Sequence, residues 1–219
     1  MELKGKKINI LGDSITEGVG ASCKENSYAD VLADLAQFGL VRNYGISGTR
    51  IANQRVIEDI TKDYDSFCQR YDKMDDDADI VIVFGGTNDY GHGDAPFGSM
   101  TDRTADTYCG AVHVLMQGLI RKYPLATIVF LAPMQRTGGS IPNVSNARPL
   151  KDYVDVIKEA AAQYSIPVLD LYKVSGMQPS VASIKEKYMP DGLHPNDEGH
   201  KKLAFLIEKF LTNTSIELF

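Results

Sequence analysis

Short, wholly apolar runs alternate along the chain with longer stretches in which apolar residues recur every three or four positions. The short runs predict five buried strands, at Ile8–Leu11, Leu40–Tyr44, Ile80–Phe84, Ala126–Ala132 and Val168–Leu171. Strands that are apolar throughout are typical of a parallel sheet covered on both faces. The pattern therefore predicts an α/β fold built on a central parallel sheet.

The periodic stretches between these strands predict amphipathic helices, at Ser27–Phe38, Thr104–Tyr123, Leu150–Tyr164 and Asn196–Leu211. Gly39 and Pro124 stand where the first two helices should end, and Asn196 is expected to cap the last one. No internal repeat, low-complexity tract or linker interrupts the alternation. Residues 1–219 are therefore interpreted as a single domain.

Polar or flexible positions follow three of the predicted strands. Ser14 follows the first strand in the segment GDSIT, Gly48 follows the second in NYGISGT, and Asn88 follows the third in GGTND. Proteins with open parallel sheets usually bind their ligands outside the carboxyl ends of the strands. We therefore expect these three residues to share one rim of the sheet.

Ser14 lies at a predicted strand-to-helix turn, which can present its hydroxyl at the rim and its N–H to an anion. The segment lacks the Gly-x-Ser-x-Gly form of a nucleophile elbow, because Thr16 stands where a glycine is required. Serine is also a preferred helix N-cap. This position alone fits either a nucleophile or a structural cap.

The segment DGLHP places Asp191 three residues before His194. Histidine is the usual general base for a serine nucleophile, and a carboxylate fixes its tautomer and stabilises the imidazolium. The spacing lets both side chains serve one serine from one loop. A lone Asp-x-x-His is more often a turn stabilised by the aspartate, so this motif alone leaves both interpretations open.

Acyl transfer also requires hydrogen-bond donors aimed at the developing oxyanion. Asn88 offers a side-chain amide just past a buried strand, and the turn around Gly48 offers backbone N–H groups. Each segment alone could be an ordinary loop. Their joint placement on the rim with Ser14 favours a catalytic site.

In this order, the segments GDSIT, NYGISG, GGTND and DGLH resemble the sequence blocks of the SGNH (GDSL-like) hydrolase family, across residues 12–194. Ile15 replaces the leucine of the GDSL name, which conserves volume. The resemblance implies a flavodoxin-like three-layer sandwich with a five-stranded parallel sheet, in agreement with the five strands predicted from the apolar runs.

The resemblance also implies roles for individual residues. Ser14 would be the nucleophile, and His194 would be the base oriented by Asp191. The oxyanion hole would be formed by the N–H groups of Ser14 and Gly48 and by the side-chain amide of Asn88. The implied reaction is ester hydrolysis through an acyl-enzyme, with no metal or organic cofactor.

Composition argues against several other classes of protein. The net charge of −6 is unsuited to binding nucleic acid through phosphates. No run approaches the roughly 18 apolar residues of a membrane helix, and the apolar run near the N-terminus is too short for a secretory signal. The odd number of cysteines, without metal spacing, favours reduced thiols. We expect a cytoplasmic protein that acts on a small molecule, with no nucleic-acid or membrane partner.

Two motif-like segments do not meet the requirements of the motifs they imitate. Residues 75–79 open like a calcium-binding loop, but Ile80 stands at the glycine position and Gly86 at the glutamate position. Gly18 and Gly20 imitate a dinucleotide fingerprint that lacks its third glycine.

Two long predicted loops, Tyr90–Arg103 and Met134–Arg148, are expected to wall the substrate pocket. Polar Arg136 and apolar Phe97 within them predict short acyl esters of a polar alcohol, as in the O-deacetylation of sugars. A thioesterase or a lysophospholipase would use the same catalytic residues. A non-catalytic carbohydrate-binding domain is the alternative of a different class, although it would not need a triad.

Overall fold

A computed structural model of the chain describes residues 2–55 and 65–213. The described residues form one sheet, whose strands are β1 (Lys7–Gly12), β2 (Leu40–Gly45), β3 (Ile80–Phe84), β4 (Thr127–Ala132) and β5 (Val168–Asp170). All strand pairs are parallel, and the order across the sheet is β2-β1-β3-β4-β5. This is the flavodoxin-like order. The predicted fold class is confirmed.

Four longer helices cover the sheet: α2 (Tyr28–Ala36), α5 (Tyr108–Lys122), α6 (Leu150–Gln163) and α9 (Asp197–Asn213). Because successive side chains of a strand point to opposite faces, β3 contributes to two separate cores. Val81 and Val83 pack with residues of α5 and α6, whereas Ile80 and Ile82 pack with residues of α2 and α9. No helix among the described residues is long and apolar enough to cross a membrane.

Shorter helices follow several strands and were not predicted, because four to seven residues are too few to show a helical period. They are α1 (Ser14–Glu17), α3 (Phe67–Arg70), α4 (Thr87–His92), α7 (Leu171–Val174) and α8 (Ala182–Tyr188). The predicted fifth strand is accordingly one residue too long, since Asp170 caps α7 by accepting the Lys173 N–H.

Cap residues explain where the observed helices begin. The second predicted helix starts at Tyr108 instead of Thr104, because the Thr107 side chain accepts the N–H of Gly110 and so fixes the start. Asn196 caps α9 as expected, since its Oδ1 accepts the Gly199 N–H at 3.1 Å.

The acidic segment 75–79 faces basic side chains of the first two strands. Asp77 pairs with Lys7 Nζ and with Arg42 Nη2, each at 2.7 Å. Asp75 pairs with Arg42 Nε at 3.3 Å. The segment is thus an acidic loop before β3 whose carboxylates pair with neighbouring basic side chains.

Candidate active site

Ser14 is the first residue of α1, directly past the carboxyl end of β1. The cap of this helix is Asp13, whose Oδ1 accepts the Ile15 N–H at 3.0 Å. Ser14 therefore does not serve as the structural N-cap. Its own N–H is one of the first four in the helix, which have no acceptor within the helix.

Glycines at the ends of the first two strands allow this tight turn. A Cβ atom on Gly12 would lie 1.9 Å from Oγ1 of Thr16, and one on Gly45 would lie 2.2 Å from the backbone nitrogen of Glu17. Any larger residue at either position would push α1 away from the sheet. The glycines thus hold the Ser14 turn against the ends of β1 and β2.

The structure brings Ser14, His194 and Asp191 together in one hydrogen-bonded chain. Ser14 Oγ lies 2.9 Å from His194 Nε2, and His194 Nδ1 lies 2.6 Å from Asp191 Oδ2. A charged carboxylate requires the proton on Nδ1, which leaves Nε2 as the acceptor for the serine hydroxyl. This is the arrangement that a serine nucleophile and its general base require.

Asp191 is held in its charged form. Partial burial alone would raise its pKa, but the N–H groups of Leu193 and His194 and the His194 ring together hold the pKa below its usual value. The Leu193 and His194 N–H groups both donate to Oδ1, at 2.8 and 2.7 Å. Oδ2 is thereby left for the imidazole ring.

Gly48 and Asn88 follow β2 and β3, the two strands that flank β1, so they lie on either side of the Ser14 turn. Gly48 has a φ of +77°, which favours glycine. Asn88 is 7% exposed and donates one N–H of its amide to the Thr49 carbonyl at 3.1 Å. Its amide has a second N–H that can serve a substrate oxygen.

Two buried carboxyl groups support these segments, and the sequence did not single them out. Asp89 accepts the N–H groups of Ile51 and Ala52, each at 3.0 Å, and so joins α4 to the chain that carries Gly48. Burial raises the pKa of Asp89 to about 6 and that of Asp13 to about 7. The sequence shows that Asp89 and Asp13 belong to the GTND and GDS segments, but it does not show that these two carboxyl groups are buried.

The two loops expected to wall the pocket are bonded to each other. The Tyr90 hydroxyl donates to the Ile141 carbonyl at 2.8 Å. In return, Asn143 Nδ2 donates to the Tyr90 carbonyl and Asn146 Nδ2 to the Ala95 carbonyl, each at 3.0 Å. The loops therefore form one continuous surface.

Phe97 is placed differently from our expectation. Phe97 is partly buried, and its ring packs against the core over α5 and α6, with its centroid 5.1 Å from that of Tyr153 and 5.9 Å from that of Tyr108. With Arg148 it borders a surface depression whose lining includes none of the triad residues. These contacts do not make Phe97 a wall of the acyl pocket.

A small cavity lies beside the Ser14 turn, and none of the triad residues lines it. It is lined by Asp13 and Ile15, which flank Ser14, by Leu193, which precedes His194, and also by Phe84, Gly85, Thr87, Pro133, Met134, Gln135 and Arg136. Its volume of about 10 Å³ is space for one water-sized group. Arg136 thus lies near the triad, as expected for its loop.

No group of His, Cys, Asp and Glu side chains within residues 2–55 and 65–213 is placed to hold a metal ion. The three cysteines are free thiols. Burial raises the pKa of Cys68 to about 12 and that of Cys109 to about 11, so neither is a thiolate near neutral pH.

Comparison with known proteins identifies the family. Residues 10–202 match the model of the GDSL-like Lipase/Acylhydrolase family, a range that contains all four motif segments. The chain belongs to this family. It is accordingly an ester-bond hydrolase.

Individual relatives of this GDSL-like acylhydrolase agree with the family match. A protein of solved structure from Lactobacillus plantarum is 33% identical, with a TM-score of 0.83 over 98% of this chain and 100% of that one. The structure of an acetyl xylan esterase shares the fold at 21% identity, with a TM-score of 0.63 over 94% of this chain and 99% of that one. An acetylxylan esterase from Xylanibacter ruminicola is 22% identical over 92% of this chain, which spans 42% of that protein's length.

Proposed function

We propose that this GDSL-like acylhydrolase cleaves short-chain carboxylic esters, and specifically that it removes O-acetyl groups from sugars, with Ser14 as its nucleophile. The observation that carries the proposal is the unbroken hydrogen-bonded chain from Ser14 through His194 to Asp191. A non-catalytic binding domain would have no use for a serine paired with an oriented imidazole.

In the first half of the reaction, Ser14 Oγ attacks the ester carbonyl carbon and His194 Nε2 takes the hydroxyl proton. Asp191 stabilises the imidazolium that forms, because its depressed pKa keeps it charged. His194 then gives the proton to the leaving alcohol, and the acyl group stays on Ser14. In the second half, water attacks the acyl-enzyme with the same base and regenerates the free serine.

The carbonyl oxygen becomes negatively charged in each tetrahedral intermediate and needs donors that are already in place. The N–H groups of Ser14 and Gly48 and the second amide N–H of Asn88 supply them in this proposal. They come from segments that follow three adjacent strands, so the sheet brings them to the same edge.

The names of two relatives, both acetyl xylan esterases, support acetyl as the acyl group and a sugar as the alcohol. Release of acetate from acetylated xylo-oligosaccharides, compared with turnover of acyl-CoA thioesters and lysophospholipids, tests this assignment.

Chain-length preference tests the size of the acyl pocket. Each methylene that finds apolar space gains about 0.8 kcal/mol, whereas a chain that overfills its pocket costs about 1–3 kcal/mol. We expect kcat/KM for p-nitrophenyl esters to be highest with acetyl or butyryl and to fall steeply by octanoyl. A maximum at octanoyl or beyond would favour a lipase-like or lysophospholipase function on the same triad.

Replacing Asn88 tests the oxyanion hole. Asn88→Ala is expected to lower kcat by about 10²–10³-fold with little change in KM, because the lost donor matters only once the oxyanion forms. Asn88→Asp keeps the size of the side chain but replaces the amide donor by a carboxylate, so it should be at least as slow. A rise in KM alone would show that Asn88 binds the substrate in its ground state.

A further inference from the structure

Arg70 has a buried guanidinium group close to the proposed oxyanion hole, although it lies outside all four motif segments. The residue is 6% exposed and comes from α3. Its Nη2 donates to the carbonyl of Gly12 at 3.0 Å and to Oγ1 of Thr49 at 2.9 Å. Its Nη1 donates to the Tyr44 carbonyl at 2.8 Å, and its Nε to the Asp65 carbonyl at 2.9 Å.

The acceptors of Arg70 connect it to each of the three segments that carry the proposed oxyanion donors. Gly12 lies two residues before Ser14 at the end of β1. Thr49 directly follows Gly48, and its own carbonyl accepts the amide of Asn88. A single guanidinium therefore joins the Ser14 turn to Thr49, which lies between the other two donors.

Outside the sheet, few other bonds fix the Gly48 loop relative to the Ser14 turn. β1 and β2 stop pairing at Gly12 and Gly45, after which the Ile46 N–H still reaches the Gly12 carbonyl at 3.1 Å. Beyond Ile46, two links reach the loop. The exposed Ser47 N–H donates to Oε2 of Glu17, in α1, at 2.7 Å, and the buried Arg70 guanidinium bonds to Thr49. The Thr49 hydroxyl in turn donates to the Ile46 carbonyl at 2.7 Å, which ties Thr49 to the residue that follows β2.

We propose that Arg70 is a positioning residue that fixes the distances among the oxyanion donors of Ser14, Gly48 and Asn88. The inference rests on the proposed function, because it takes those three groups to be the oxyanion hole. Donors of this kind must be held within about 0.5 Å of the productive geometry. Arg70 does not touch the substrate and acts only through the backbone and Thr49.

The guanidinium is itself held in place before any substrate arrives. Its carbon lies 5.1 Å from the centroid of the Phe67 ring, which is fully buried. A capping box between Ser66 and Gln69 fixes the start of α3. Lysine keeps the charge but lacks the planar fork with donors in several directions, so it cannot make all of these bonds.

Arg70→Lys tests the proposal. We expect kcat for p-nitrophenyl acetate to fall about 10- to 100-fold, as for a small displacement of catalytic groups, while KM stays within about twofold. The rate is counted per active site, from the burst of p-nitrophenol or from fluorophosphonate labelling, so that unfolded protein does not contribute. Arg42→Lys is the matched control, because Arg42 pairs with Asp75 and Asp77 and should leave kcat unchanged.

A second comparison separates positioning from general support of the fold. In the Asn88→Ala background, Arg70→Lys should cost less than about threefold, because both changes act through the same hole and are not additive. An equal cost in both backgrounds, or a wild-type kcat in Arg70→Lys, would overturn the proposal. If Arg70→Lys does not fold, Thr49→Val removes the hydroxyl while keeping the shape of the side chain, and a wild-type kcat there would overturn the proposal equally.

The proposed function has its own separate test. If Ser14→Ala kept its activity, the site assignment would fail whatever Arg70→Lys shows. If Ser14→Ala and Asn88→Ala behave as expected while Arg70→Lys does not, only the role of Arg70 fails.

Discussion

Ser14→Ala is expected to fold like the wild type and to lose about 10⁶-fold in kcat on p-nitrophenyl acetate. The Ser14 hydroxyl bonds to His194 Nε2, so its loss removes the proposed nucleophile without opening the core. His194→Ala should be about as severe. Combining the two should add little, because a nucleophile and its base act as one unit.

Ser22→Ala is the matched control for this experiment. The Ser22 hydroxyl donates to Asp197 at 2.7 Å on the surface, instead of to a triad residue, and its loss should leave kcat unchanged. A fluorophosphonate should label the wild type and Ser22→Ala but not Ser14→Ala. Turnover within about tenfold of the wild type in folded Ser14→Ala would exclude Ser14 as the nucleophile.

Asp191→Asn is expected to lower kcat by about 10⁴-fold, the usual cost when the base is held in the wrong tautomer. The amide oxygen of the substituted side chain would keep the two backbone N–H groups that now reach Oδ1, at 2.8 and 2.7 Å. The amide nitrogen would then face His194 Nδ1 as a donor. The ring proton would be driven to Nε2, where it blocks acceptance of the serine proton.

Asp197→Asn is the matched control for Asp191→Asn, because it neutralises another carboxylate in the same part of the chain. Asp197 begins α9 and accepts the Ser22 N–H at 2.7 Å, so its neutralisation should affect stability slightly and kcat not at all. Steady-state kinetics and a thermal melt of both variants make the comparison. Asp191→Asn with more than a tenth of the wild-type kcat would show that Asp191 is a turn residue only.

The sheet and the rim could be predicted because both depend on local sequence. Five apolar runs are enough to indicate a parallel sheet, and parallel strands bring their carboxyl ends to one edge. That edge is where Ser14, Gly48 and Asn88 were expected, and the structure places them there. The distances that join Ser14 to His194 depend on residues 180 positions apart, and only the recognised motif order suggested them.

The supporting residues could not be predicted, because their importance comes from long-range contacts. Arg70 lies in a segment with no motif, and its acceptors come from the ends of two strands and from a loop. Phe97 was assigned to the pocket from its place in a long loop, but its partly buried ring packs against the core instead. Loop membership indicates neither the direction of a side chain nor its partners.

The bonds between the two long loops have a consequence for altering substrate choice. Asn143 and Asn146 in one loop bond to the backbone of Tyr90 and Ala95 in the other, and Tyr90 bonds back. Grafting one loop from a relative would leave these partly buried amides without their acceptors in the recipient, which would lower its stability. The two loops therefore form a single structural unit. Transferring substrate specificity between family members requires grafting both loops together.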